Sequence, residues 1–150
     1  METQSEIRIR TAQGSDIHGV LRVEKECFDE WSPHLLIQLC GRTETLLVCE
    51  DESEGDITGY ALGILTNSTH ARVMSLGVRK EYRRQGIGRA LMEELLDVFR
   101  NKDISNVELE VRVSNTAAQE LYESLGFTKE RRRDSYYSDG EDAYVMQKQL

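Results

Sequence analysis

Apolar residues along this chain switch between two periods, and the switches mark its elements. Ile7 and Ile9 alternate with Arg8 and Arg10 in IRIRTA (7–12), a period of two that predicts an edge strand. Ile17, Val20, Leu21, Glu24, Cys27 and Phe28 then recur at helical spacing, with Ser15 or Asp16 placed as cap. Ser32 followed by Pro33, the only proline, reads as an N-cap and first helical residue opening a short helix to Cys40. TLLVCE (45–50) and ITGYALGILT (57–66) read as strands joined by the acidic turn DESEGD, and HARVMSLGV (70–78) as another. Ile87, Leu91, Leu95, Val98 and Phe99 give an inward face to a helix over 86–100. Strict alternation in VELEVRV (107–113) puts Val107, Leu109, Val111 and Val113 on one face of a strand and Glu108, Glu110 and Arg112 on the other. Ala118, Leu121, Tyr122 and Leu125 lie at core spacing on a helix over 116–127 that Gly126 ends. Two strands around Ser138-Asp139-Gly140-Glu141 close the chain as a hairpin.

The order is thus βααβββαβαββ. An antiparallel run comes first, and a strand–helix–strand crossover then supplies at least one parallel pair. That is an α+β (mixed α/β) domain rather than a doubly wound one. Its 150 residues suit a single domain, 1–150, with neither repeat nor linker.

Composition narrows the function. A formal net charge of −8 argues against a bulk-basic nucleic-acid binder. Lys129 to Arg133 (KERRR) is the one basic run; it reads as a solvated strand end, with ribosomal RNA or an acidic peptide tail as the lesser alternative. The absence of an apolar run near 18 residues argues against a membrane span, and METQSEIRIR has no signal-peptide core. Cys27, Cys40 and Cys49 form no CxxC and no cluster with His18, His34 or His70, so no metal site is expected. A sparse, odd cysteine count suggests reduced thiols in a cytoplasmic protein.

Chemistry concentrates between 83 and 89. Arg83-Arg84-Gln85-Gly86-Ile87-Gly88-Arg89 joins a strand to a helix. The first amides of that helix lack intrahelical acceptors, and with the helix dipole they favour an anion. Gly86 and Gly88 let the backbone come close to a phosphate. Taken alone, the tripeptide equally suits a helix start with two flexible residues. No GxxxxGK[ST] is present, and the third glycine of a dinucleotide fingerprint is missing.

Arg83 to Gly88 matches the [QR]-x-x-G-x-[GA] motif of the GNAT acetyltransferases, and VMSLGV before it resembles that family's acetyl-CoA strand. LEVRVSNTAAQELYESLGF (109–127) and YYSDGEDAYVM (136–146) resemble the RimI-type and archaeal N-terminal protein acetyltransferases within it. The resemblance is close over roughly 70–146 and extends to the first 65 residues by element order only. It implies the GNAT fold: a central, mostly antiparallel sheet with a parallel β-α-β acetyl-CoA unit and helices on both faces. It also implies acetyl-CoA as co-substrate, with the amides of Gln85 to Arg89 on the pyrophosphate and Arg83 and Arg84 adding charge. Leu76, Gly77 and Val78 would line the pantetheine arm, Leu76 and Val78 pairing with it like an added strand. Asn115 would hydrogen-bond the arm, and Tyr122 would reach the thioester sulfur.

The reaction implied is direct attack of an amine on a thioester, which needs a base and an acid but no protein nucleophile. Glu110 is the first candidate base and Glu30, in CFDEWSP, its rival; Tyr122 is the candidate acid. The competing reading of Tyr122 is core packing, and of Glu30 an exposed acidic turn. Phe28, Asp29, Glu30 and Trp31 would shape the pocket for the substrate's first residue, and Tyr136 and Tyr137 would grip its backbone. Many relatives carry proline where this chain has Asp29, which bears on the preferred N-terminal residue. At pH 7 about a tenth of an α-amine is neutral, against about 0.04% of lysine, so a modest base suits an N-terminal substrate. The expected partners are protein N-termini, with ribosome association a further implication of the resemblance, and the chain acting as a monomer or homodimer. Two alternatives stand beside this: a small-amine acetyltransferase for polyamines or amino acids, and a non-catalytic acetyl-CoA-binding module.

Overall fold

The computed structural model describes residues 6–28 and 33–150. Its elements are β1 (Ile7–Thr11), α1 (Ile17–Cys27), α2 (Pro33–Leu39), β2 (Leu46–Asp51), β3 (Asp56–Leu65), β4 (His70–Val78), α3 (Ile87–Asn101), β5 (Asn106–Arg112), α4 (Thr116–Ser124), β6 (Thr128–Arg133) and β7 (Ala143–Gln149). The order matches the one read from periodicity. The strands form one seven-stranded sheet ordered β1-β2-β3-β4-β5-β7-β6, so β1 is an edge strand as its alternation predicts. The one crossover through α3 produces the parallel pair, β4 with β5, over His70–Arg72 and Asn106–Glu108. The described residues fall into two compact units, 1–63 with 74–98, and 64–73 with 99–150.

In the first unit β1, β2 and β3 pair antiparallel, with Ile9 opposite Cys49 and Val48 opposite Tyr60. α1 and α2 turn their apolar stripes onto these strands: Val20, Val23, Leu36, Leu46, Val48, Tyr60 and Leu62 form one buried cluster. Ion pairing closes its edge. Arg10 reaches Asp16 at 2.7 Å and Glu50 at 3.0 Å, and Asp16 also accepts from the Gln13 amide at 2.7 Å. α3 buries Ile87, Leu91, Met92, Leu95 and Leu96. Val98, expected on the same face, is half-buried.

In the second unit β5 alternates as its sequence predicts, with Val107, Leu109 and Val111 buried. β7 pairs with β5 and with β6, both antiparallel, Val145 lying opposite Glu110 on one side and Arg131 on the other. Two boundaries differ from the sequence expectation. α4 ends at Ser124 rather than running to Phe127, because Gly126 is already left-handed at φ +95°. β6 ends at Arg133, so Tyr136 and Tyr137 lie in the following loop rather than in a strand. The cause is a contact from the far side of the loop: the carboxylate of Asp142 takes the Ser135 amide at 2.7 Å and the Arg132 guanidinium, bending the chain out of the ladder early.

Candidate active site

The first unit carries the candidate anion-holding loop. Residues 79–86 leave β4 and turn into α3, with left-handed φ at Arg84 (+65°) and Gly86 (+77°). Such residues build the backbone concavities that hold anions. The first amide to find an acceptor in the helical ladder belongs to Ala90, onto the Gly86 carbonyl at 3.0 Å. The amides of Ile87 and Gly88 precede that first bond at the helix start, the condition that favours a phosphate. The loop's side chains are less free than the sequence suggests. Arg83 Nε donates to the Val78 carbonyl at 2.9 Å, and Arg89 pairs with Glu93 at 3.0 Å. Sequence reading did not anticipate what pins the loop's start. Arg79 is buried and pairs with Glu26 at 3.2 Å and Glu81 at 2.8 Å, while Glu26 also accepts the Lys80 amide at 2.6 Å. Those bonds hold the Glu26 carboxyl below its ordinary pKa, the Lys80 amide contributing most.

The strand leading into this loop has one backbone edge committed to β3: the Arg79 amide bonds the Thr58 carbonyl at 2.8 Å. Backbone groups alternate direction along a strand, so Leu76 and Val78 point away from β3. The Val78 carbonyl there also accepts from the Cys27 thiol at 3.3 Å. Leu76 and Val78 are half-buried. Gly77 is buried, and a Cβ on it would meet Cys27 Sγ at 3.3 Å and Phe28 Cε2 at 3.4 Å. Phe28 thus packs at the edge of the apolar cluster and against this strand at once. Asp29, Glu30 and Trp31, the other pocket candidates, lie outside the described residues.

The second unit carries the candidate acid and base. Tyr122 sits on α4, 9% exposed, its ring 6.0 Å from that of Phe127. Burial, with a smaller contribution from Tyr137, pushes its phenol up to about 12. It is core-buried and strongly protonated together, so the packing and proton-holding readings coexist. Glu110 lies on the polar face of β5, its side chain 6% exposed, beside fully buried Val145. Arg72 of β4 forms an ion pair with it, and Arg133 of β6 approaches the same Oε1 at 3.6 Å. Glu108, on the same face, is partly exposed and 3.5 Å from Arg131. Asn115 caps α4: its side-chain oxygen accepts from the Ala118 amide at 3.1 Å, leaving its amide nitrogen as the donor end.

The loop from Asp134 to Asp142 is organised by Arg112. Its Nη1 donates to Asp139 and Glu141, both at 2.8 Å, and its guanidinium carbon stands 4.0 Å from the centroid of the Tyr137 ring. Tyr136 meets Tyr137 edge-on at 5.0 Å. The basic run finds acidic partners in turn: Lys129 with Glu123, Arg131 with Glu108 and Glu130, Arg132 with Asp134 and Asp142, Arg133 with Glu110. That pairing favours the solvated-strand reading over a nucleic-acid contact. Among the described residues no group of three His, Cys, Asp or Glu side chains is disposed to hold a metal, and no helix is long and apolar enough to cross a membrane.

Each taken by itself, the helix start of the first unit suits a phosphorylated donor and the buried phenol of the second suits a leaving group that needs a hydrogen-bond donor, the chemistry of a group transferase. Residues 17–127 match the Acetyltransferase (GNAT) family, and the chain belongs to it. It is an acetyl-CoA-dependent N-acetyltransferase with the GNAT fold. It is similar over 94% of its length to the N-alpha-acetyltransferase of Sulfurisphaera tokodaii, 32% identical and covering 92% of that protein. Among solved structures it resembles Ard1 from Thermoplasma volcanium, with a TM-score of 0.88, 30% identity, and 96% of this chain and 97% of that one covered. The ribosomal-protein-S18-alanine N-acetyltransferase of Escherichia coli gives a TM-score of 0.86 at 30% identity, covering 97% of this chain and 94% of that one.

Proposed function

We propose that the enzyme acetylates the N-terminal α-amine of proteins, ribosomal protein N-termini among them, in the cytoplasm. The observation that carries this is the likeness, over nearly the whole chain, to a protein named N-alpha-acetyltransferase. The amine chemistry supports it, since an α-amine asks less of the base than lysine does.

In the mechanism we propose, the amides from Gln85 to Arg89 hold the pyrophosphate of acetyl-CoA, and Leu76 to Val78 and Asn115 align the pantetheine arm. Phe28 to Trp31 and Tyr136–Tyr137 receive the peptide. The neutral amine attacks the thioester carbonyl; the N–C bond forms, the C–S bond breaks, and the electron pair leaves on sulfur. The amine's proton passes through water to a glutamate, Glu110 or Glu30. Tyr122 donates a hydrogen bond to the departing sulfur. A phenol pushed to about 12 gives its proton up to a thiolate near 8.5 only uphill, by about 4–5 kcal/mol, whereas a charge-assisted hydrogen bond needs no transfer. The protonated glutamate then returns that proton through water to the thiolate, so protons balance, the carboxylate is regenerated and no free tyrosinate forms.

The test measures free coenzyme released from acetyl-CoA with peptides varied at residues one and two, beside N-terminally blocked lysine peptides. Release on free α-amine peptides is expected. Release confined to lysine peptides, or faster release with free polyamines than with any peptide, overturns the proposal. Glu110→Gln in the same assay bears on the base in one direction: retained turnover would hand the role to Glu30.

A further inference from the structure

We infer that Arg112 is a positioning residue for the peptide, the pin that sets the Tyr136–Tyr137 loop. This rests on the N-terminal acetyltransferase reading and adds to it a residue that acts through the loop it holds. The loop between β6 and β7 spans residues 134–142, long for a hairpin, so its Asp139-Gly140 turn signal leaves the flanking residues unspecified. Something has to choose one conformation for it. Arg112, the last residue of β5, does so with one guanidinium. Nη1 holds Asp139 and Glu141, both at 2.8 Å, while the planar cation stacks on Tyr137 at 4.0 Å.

The loop's other bonds are built on those contacts. The Glu141 carboxylate accepts the Ser114 amide at 3.0 Å through its second oxygen, tying the loop to the turn that ends in Asn115. Asp139 accepts the Glu141 amide at 2.9 Å. The Tyr137 amide donates to the Glu141 carbonyl at 3.1 Å, and the Gly140 amide to the Tyr137 carbonyl at 2.9 Å. Remove the guanidinium, and two carboxylates repel each other at the point where the loop is fastened. Tyr137 loses the surface it lies on, and Tyr136, 44% exposed and edge-on against Tyr137, loses its support in turn. Lysine cannot replace this, since it lacks the planar fork.

The experiment compares Arg112→Gln, Arg112→Lys and Asp139→Asn with wild type. Asp139 is on the exposed loop, so its variant keeps the test valid if changes at Arg112 disturb folding. For Arg112→Gln, peptide KM should rise about tenfold, with kcat and the acetyl-CoA dissociation constant within about twofold. Arg112→Lys and Asp139→Asn should fall between it and wild type. An unchanged peptide KM alongside a lowered melting temperature overturns the inference, leaving Arg112 as a brace of the fold. Hydrogen exchange at the Tyr137 and Gly140 amides, read without any substrate, separates this inference from the functional proposal. Faster exchange in Arg112→Gln establishes the pin even if no peptide proves to be a substrate. Equal exchange refutes it even if peptides are acetylated.

Discussion

Tyr122→Phe removes one oxygen and leaves the ring, which makes it the sharpest probe of the proposed mechanism. The phenol is 9% exposed and raised from 10 to about 12, chiefly by burial. Two consequences follow from that one number. The first concerns catalysis. If the hydroxyl donates to sulfur only as negative charge develops there, its loss lowers kcat by about 10²–10³. The neutral thioester sulfur is a weak acceptor, so acetyl-CoA affinity should stay within about twofold. The second concerns stability. Below pH 10 the phenol is protonated in the folded and unfolded chain alike, and it adds no pH dependence. Between 10 and 12 the unfolded chain releases the proton first, so stability falls as pH rises, by about 2–3 kcal/mol once both limits are passed. Phenylalanine has no such proton. The variant should therefore match wild type within about 1 kcal/mol at pH 7, and lose less stability than wild type above pH 10. Stopped-flow release of coenzyme measures the first effect, and urea unfolding at pH 7, 9 and 11 the second. A kcat within about threefold of wild type refutes the sulfur contact. Identical alkaline slopes refute the burial-raised phenol. Wild-type kcat should also show no alkaline fall up to about pH 10, since an acid near 12 is still protonated there.

Three further outcomes are expected. Asn115→Ala loses the α4 cap to Ala118 and should cost about 1 kcal/mol in urea unfolding, with Asn115→Asp close to wild type. Asp16 is held below the ordinary carboxylate range, first by its hydrogen bond from Arg10. Its stabilisation is present above the unfolded pKa and lost as pH falls through the folded one, so Asp16→Asn should flatten the acid limb of a stability–pH curve. Gly86→Ala meets open space but must keep φ +77°, so it should cost about 1–2 kcal/mol of loop conformation and weaken acetyl-CoA binding measured by calorimetry.

The elements were legible because each has a single hydrophobic period long enough to read. β4 falls where HARVMSLGV placed it, and α1, α3 and β5 within a residue or so of expectation, since a buried face leaves little freedom of register. The turn at residues 83–89 was legible for a different reason: glycine spacing marks the start of a helix, where the proposed phosphate contacts come from backbone amides rather than side chains. The failures share a cause as well. The end of β6 and the loop after it are set by Asp142 and Arg112, whose partners are not their neighbours in sequence. Arg112 reaches across 27 and 29 residues to Asp139 and Glu141, a distance at which no periodicity speaks.

Glu110 shows how far alternation goes before topology takes over. Its period of two puts it on the polar face of β5, and a polar face read from one strand looks solvated. The sheet changes that. β7 sets buried Val145 directly opposite Glu110, and the parallel register of β4 puts Arg72 opposite Glu108, one step along the same face. A carboxylate in that place is taken out of water by one neighbour and compensated by the guanidiniums of Arg72 and Arg133. Neither strand partner is deducible from VELEVRV. The identity of a general base therefore depends less on the strand that carries it than on what the next strands bring beside it. Glu110→Gln, which leaves two guanidiniums facing a neutral amide, tests the charge of that face as much as the basicity of the residue. Arg72→Met separates the two: a true base is needed whatever cation stands beside it, so adding Glu110→Gln should lower kcat as far in the Arg72→Met background as in wild type, whereas a carboxylate present only to neutralise arginine should matter less once that arginine is gone.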